Sequence, residues 1–303
     1  MGPSPRLAGA LLAALVAACP LSAEPAALFT YVFDDGFSSD AVISREFADQ
    51  GAVACSAITT DWIGTDDHLS VAQIRGLQEA GWEILSHTLS HPHLPRLSPP
   101  QIEQELRGSR ETLESLGVNV SSLVYPYNQS SAAVEGIARR YYRSARGGGY
   151  AMNTPATDPY ALRSFPFTHN LEKIERAIDR AYSEHAWLIV YQHRVDVAIT
   201  TKDRRGRFLP GEILDFAPSR SQARCERSAW SEVFGMLHFL PLSGSPLPGD
   251  IVTGQKSGAT ARLGRVVFDD FAAIADMLHY LRTRYPEMRI VTVSQALDLL
   301  GVP

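Results

Sequence analysis

Four short stretches of this 303-residue chain hold residue types that could do chemistry. FDDG sets Asp34 and Asp35 side by side before Gly36. SHTLSHPHL carries His87, His91 and His93. LIVYQHR carries His193, and VYPYN spans Val124–Asn128. Adjacent carboxylates repel, so something must hold them or use them. His87 and His91 stand four residues apart, a spacing that on one helical turn sets both imidazoles on one face, roughly 5–6 Å apart at Cβ. Pro92 ends that turn, because it disfavours helical geometry at His91. Two histidines and a carboxylate around an open position form a catalytic zinc arrangement, with Asp34 or Asp35 as the carboxylate. One aspartate would then bind the cation. The other would take a proton from water whose pKa the cation lowers. The cation also removes the repulsion, being the largest local charge. Neighbouring side chains of a regular strand point to opposite faces, so both aspartates serve one site only where the strand breaks into a turn, which Gly36 permits. A plainer account makes the histidines a polar surface loop and Asp-Gly a helix-capping turn. That turn explains one aspartate, not two.

Each stretch must be positioned by the elements around it. Short apolar runs alternate with amphipathic segments. Strands are predicted at Leu28–Phe33, Val53–Ile58, Trp82–Ser86, Ser122–Tyr125, Leu162–Phe165, Trp187–Tyr191 and Arg289–Thr292. Helices are predicted at Asp40–Gln50, Ser70–Ala80, Ser98–Leu116, Ser131–Arg140, Leu171–Ser183, Asp269–Tyr285 and Ser294–Leu300. Gly51, Gly81 and Gly117 stop helices, and Pro99 and Pro100 suit a first helical turn. Strands alternating with helices make parallel βα units, and about seven or eight of them point to a barrel. Every reactive stretch falls just past the C-terminal end of a predicted strand, the rim on which such barrels build active sites.

Residues of about 200–266 break this rhythm. They hold Arg204, Arg205 and Arg207 with many Gly, Pro and Ser, and their tail alternates apolar and polar residues between glycine turns. That pattern reads as a β-rich insertion of short antiparallel strands. Its arginines, with Arg262 and Arg265, are either a solvated elaboration or a contact for an anionic polymer.

The net charge of −5 gives no basic footprint for nucleic acid. Arg6 followed by the apolar run Leu7–Ala18 is too short to span a membrane and reads as a secretory leader over 1–23. Val16-Ala17-Ala18-Cys19 resembles a lipoprotein box that would lipidate Cys19 and attach the chain to a membrane, whereas Leu21-Ser22-Ala23 would serve an ordinary cleavage. Both routes place the mature chain outside the cytoplasm. An oxidising compartment permits a Cys55–Cys225 disulfide, but Cys55 lies in the apolar run AVACSAI and reads as a small core residue.

FDDG, HTLSH, YPY and a late apolar strand ending in His, in this order, resemble the polysaccharide deacetylases of carbohydrate esterase family 4, the NodB homology domain. The resemblance runs from about Leu28 to Val195 and resumes at about Val267, within a deacetylase domain over 27–303. It implies a distorted (β/α)7-type barrel with fewer than eight complete units. It implies Asp34 as general base, Asp35, His87 and His91 as metal ligands, most often for Zn2+, and His193 as general acid to the leaving amine. It implies the Tyr127 backbone N–H as an oxyanion donor and leaves His93 outside the pattern. The implied activity is removal of N-acetyl groups from an N-acetylglucosamine-containing polysaccharide. An O-acetyl esterase on xylan or peptidoglycan-type glycan and a non-catalytic glycan-binding protein are the alternatives. Two positions depart from the family. Val124 stands where many members carry an arginine that orients the base, a charge Arg163 or Arg146 would have to supply, although a subgroup acting on partially de-N-acetylated exopolysaccharide shares the YPY form. Gln192 stands where an aliphatic or aromatic residue precedes the acid.

Overall fold

The computed structural model describes residues 27–65, 67–230 and 235–302. The leader over 1–23 and the lipidation of Cys19 lie outside the described residues. No helix among the described residues is long and apolar enough to cross a membrane.

The first strand, β1 (Leu28–Phe33), is buried along its whole length, which is why it reads as a continuous apolar run rather than an alternation. Phe29, Tyr31 and Phe33 enter an apolar cluster with Phe47 of α1 (Ser39–Asp49), Leu77 of α2 (Val71–Glu79) and Leu278 of α6 (Asp270–Arg284). Leu28 and Val32 enter a second cluster on the opposite face, with Trp187 and Ile189 of β7 (Trp187–Gln192) and Leu297 of α7 (Val293–Leu299). Between them Thr30 donates to the Val291 carbonyl (2.8 Å) and accepts from the Trp187 indole (2.9 Å).

Beside β1 lie β2 (Cys55–Ile58), β3 (Glu83–Ser86), β4 (Ser122–Val124), β5 (Ser144–Arg146), β6 (Phe165–Pro166) and β14 (Arg289–Ile290). All pair in parallel, in the order β5-β4-β3-β2-β1-β7-β6, with β14 also on β1. The two ends of this eight-stranded sheet approach each other, because Leu162 bridges in parallel to Arg146 just before the chain enters β6. The remaining connections are α3 (Pro99–Ser115), α4 (Ala132–Ala138) and α5 (Leu171–Ser183). Ser70 and Gln73 close a capping box on α2, and the Asp269 carboxylate caps α6 by accepting from the Ala272 N–H at 3.1 Å.

The expected parallel βα architecture is present, without the seven-unit count. The parallel sheet has eight strands. β5 was not foreseen, and the strand expected over Leu162–Phe165 is a single bridge followed by the two-residue β6. β5 reads Ser144-Ala145-Arg146, so no apolar run marks it as β4 and β14 are marked. The insertion is larger and more regular than its expected bounds. β8 (Val197–Arg205), β9 (Ile213–Ala217), β10 (Gln222–Trp230), β11 (Gly235–Ser243), β12 (Ile251–Gly254) and β13 (Thr260–Asp269) form a closed antiparallel barrel. It has its own core, including Phe208, Leu214, Phe216, Phe239 and Val252. Its ends are paired, Val197 facing Asp269. Arg262 stands 3.7 Å from Asp203. Cys55 is buried in the sheet and Cys225 in the barrel, both as free thiols, so the disulfide does not form.

Candidate active site

Asp34 and Asp35 occupy the turn that leaves β1. The Asp34 N–H donates to the Gln192 carbonyl at 2.7 Å, extending the β1–β7 ladder by one residue. The chain then breaks, since Asp35 (φ 77°) and Gly36 (φ 74°) are both left-handed. A Cβ on Gly36 would lie 2.9 Å from Ile58 Cδ1, a side-chain end that could give way, so it is the left-handed backbone that favours glycine here. This turn lets both aspartates face one site. Asp35 Oδ1 stands 3.4 Å from the Nε2 atoms of both His87 and His91.

The histidines come from the loop after β3. It is not a helical turn, as the spacing had suggested: Thr88 (φ 70°) and His91 (φ 60°) are left-handed. Pro92 excludes the helical alternative, and the Thr88 hydroxyl instead accepts from the His91 N–H at 3.0 Å. His87 Nδ1 meets the Val124 carbonyl at 2.8 Å. A carbonyl only accepts, so Nδ1 carries a proton, and in the neutral tautomer the lone pair is then on Nε2, the atom that faces Asp35. The rings of His87 and His91 cross edge to face at 4.7 Å.

Asp35, His87 and His91 form a group whose ligand atoms lie within 4.8 Å of one another. Asp35 Oδ1 is buried and has no hydrogen-bond partner. A buried carboxylate oxygen left unpaired against two imidazole nitrogens is costly as it stands, and a divalent cation of the zinc type fits that donor set. Burial pushes the Asp35 carboxyl up, but contact with His87 and the charges of His87, His193 and His91 outweigh it and hold it below the usual range. Burial, then the neighbouring His87 charge, lower His91 to about 4. It is therefore neutral at neutral pH, the form that ligates a metal.

Asp34 is treated differently. Its Oδ1 accepts from Nη2 of Arg146, the last residue of β5. Arg146 is 1% exposed, also donates to Asn128 Oδ1 (2.8 Å) and Ser164 Oγ (3.3 Å), and lies over the Tyr191 ring at 4.7 Å. Of the two arginines proposed to replace the one missing at Val124, Arg146 therefore reaches the aspartate. Arg163 is exposed and holds Asn153 through its backbone. Tyr127 is left-handed (φ 57°), half exposed, and edge-on to His91 at 4.6 Å. His93 stacks flat on the Tyr127 ring at 3.8 Å, a contact with no sequence signal beyond its neighbouring position.

His193 is exposed at the end of β7 and lines, with Asp35, a cleft of about 620 Å3. Gln192 behind it accepts from the Tyr31 hydroxyl (2.6 Å) and donates to the Arg194 carbonyl (3.3 Å), fixing the strand end from which His193 projects. Arg194 pairs with Asp67 (2.9 Å) and with Glu226 of β10, and lies over the Phe37 ring at 4.5 Å. The inserted barrel is thereby tied to the residue next to His193.

A family model described as polysaccharide deacetylase matches residues 23–143. Among solved structures, a polysaccharide deacetylase from Bacillus cereus is 23% identical over 44% of this chain and 44% of its own, with a TM-score of 0.39. The chain thus spans less than half the length of that protein. A Streptococcus pyogenes deacetylase solved with acetate is 21% identical over 48% of this chain and 67% of its own (TM-score 0.44). The T48 deacetylase, solved with substrate, aligns over 92% of this chain and 93% of its own at 14% identity and a TM-score of 0.50, a likeness of fold. A comparison with curated proteins finds no match.

Proposed function

We propose that this chain, whose residues 23–143 match the polysaccharide deacetylase family, is a metal-dependent hydrolase that removes N-acetyl groups from an N-acetylglucosamine-containing polysaccharide. One observation carries the reading. The orphaned Asp35 oxygen faces two imidazole nitrogens, and a second buried carboxylate, Asp34, stands beside it tied to an arginine.

Asp35, His87 and His91 would hold the cation. When bound it supplies Lewis-acid polarisation of the acyl oxygen and a water of lowered pKa. Asp34 is the base. Arg146 occupies its Oδ1 and fixes its orientation, leaving Oδ2 to take the proton of the attacking water. The Tyr127 N–H stabilises the oxyanion as charge develops. His193, which lines the same cleft as Asp35, gives a proton to the departing amine, so that acetate and a free amino sugar leave. The bond to Val124 holds His87 in the tautomer that keeps Nε2 available.

The test is acetate release by the metal-loaded chain lacking residues before Glu24. It would be offered N-acetylglucosamine oligomers, acetylated xylan and peptidoglycan fragments. We expect release from an amide substrate, with Asp34→Asn and His193→Ala each lowering the rate by roughly 10²–10⁴-fold while metal content is unchanged. Release from ester substrates alone would replace the amide reading with the esterase one. No release from any of these by a metal-containing chain would favour a glycan-binding role.

A further inference from the structure

We propose that the seam between the parallel sheet and the inserted barrel binds a second pyranose unit of the substrate, adjacent to the one deacetylated, through His169 and Arg227. This inference rests on the deacetylase reading above. The cleft that holds Asp35 and His193 does not stop at the sheet. It is lined as well by Glu226 and Arg227 of β10, Phe268 of β13, His169 and Asp270. Its volume of about 620 Å3 lies within the range of clefts that enclose small organic ligands, about 300–1,000 Å3.

His169 has the properties of a stacking platform. It is 49% exposed, yet its ring is fixed from two directions. Nε2 meets Asp270 Oδ1 at 2.6 Å, and one face lies on the Phe268 ring at 4.5 Å and 28°. Asp270 is itself held, its other oxygen accepting from the Asp196 N–H at 3.0 Å. Phe268 is backed in turn by His238 at 5.7 Å. A ring immobilised before binding loses little entropy on binding. The C–H face of a pyranose is apolar and slightly positive and suits the π-face of such a ring.

Arg227 supplies the polar half. It is 64% exposed, and its carboxylate neighbour Asp196 is distant, at 3.8 Å. Asp196 also faces His238 at 3.3 Å, and Arg227 reaches His238 at 3.4 Å. Its guanidinium therefore retains donors for sugar hydroxyl or acetamido oxygens. The two residues come from different parts of the molecule, His169 from the loop after β6 and Arg227 from the barrel. A sheet without the barrel would lack Arg227 and the Phe268 backing of His169.

The experiment measures binding without turnover. Zinc-loaded His193→Ala chain is titrated calorimetrically with N-acetylglucosamine and with its tetramer, alone and with His169→Ala, Phe268→Leu or Arg227→Ala added. We expect the tetramer to bind at least about ten-fold more tightly than the monosaccharide, since it reaches the second position. His169→Ala should weaken tetramer binding about five-fold and Arg227→Ala about ten-fold, with monosaccharide binding unchanged. Arg227 is exposed, so its variant decides the matter if His169→Ala fails to fold. Equal tetramer affinity in the variants, no preference for the tetramer, or no glycan binding would each overturn the seam site. Variant-sensitive tetramer binding in a chain that releases no acetate would uphold the seam and remove the deacetylase reading. Acetate release with seam variants binding normally would do the reverse.

Discussion

Arg146 and Asp34 are both nearly sealed from solvent, and neither is tolerable there without the other. Removing one partner of a buried pair leaves an uncompensated charge, at a cost of about 3–5 kcal/mol. Arg146→Met should therefore lower the unfolding free energy in urea by about 3 kcal/mol and abolish acetate release. The double variant Arg146→Met with Asp34→Asn should recover most of the stability and none of the activity. A single variant as stable as the parent would mean that the pair is not a charged one. The legibility of the site divides at this scale. Asp34, Asp35, His87 and His91 could be read from the sequence because each pair sits in one short stretch and its chemistry depends on local spacing. Arg146 could not be separated from Arg163, since its contact with Asp34 joins residues 112 apart. It also depends on β5, a strand that no apolar run marks. Which aspartate is base and which is ligand, and the roles of His193 and Tyr127, came from family resemblance, because nothing local tells adjacent carboxylates apart or distinguishes a strand-end histidine or an exposed tyrosine.

Among the elements, α1 carries a buried acid close beneath the site. Asp40 accepts from the Ser56 hydroxyl at 2.6 Å, while its Oδ1 has no partner. Burial, then the charges of Asp35 and Asp34, push its carboxyl well above the usual range against the opposing Ser56 bond. The folded state thus holds this proton longer than the unfolded chain, whose aspartate titrates near 3.9. The contribution to stability is fully present below that pH and is lost as pH rises through the folded value. In metal-stripped protein, Asp40→Asn should raise the thermal midpoint by roughly 2–4 °C at about pH 8 and by little at about pH 4. An equal change at both pH values would refute a raised pKa. The elements themselves were mostly legible. Apolar runs marked the long strands, and helix ends were marked by Ser70, Pro99, Gly81 and Gly117. The HxxxH segment was misread as helical because i, i+4 spacing was the only signal weighed for the residues before Pro92, and a left-handed loop brings the same rings together.

For the whole molecule, the barrel was visible as a break in rhythm and as alternation between glycine turns, but its closure was not. Which strands meet is decided by side-chain packing across long separations, and no local pattern encodes it. Since Val197 faces Asp269, the chain enters and leaves the barrel at one place. Replacing 197–269 by a short Gly-Ser linker should leave the parallel sheet folded and able to bind zinc, measured by cooperative unfolding and metal content, while tetramer affinity falls to that of the monosaccharide. An insoluble product would show that the barrel is part of the sheet domain's stability. The sheet's own strand pairing constrains the order in which the chain can fold. Leu28 of β1 pairs with Arg289 of β14, so β1 receives one of its partners only after the whole segment between them has been made. The barrel, whose strands all lie between 197 and 269, is complete before that. During synthesis the inserted unit can be folded while its host is still waiting for its final strand.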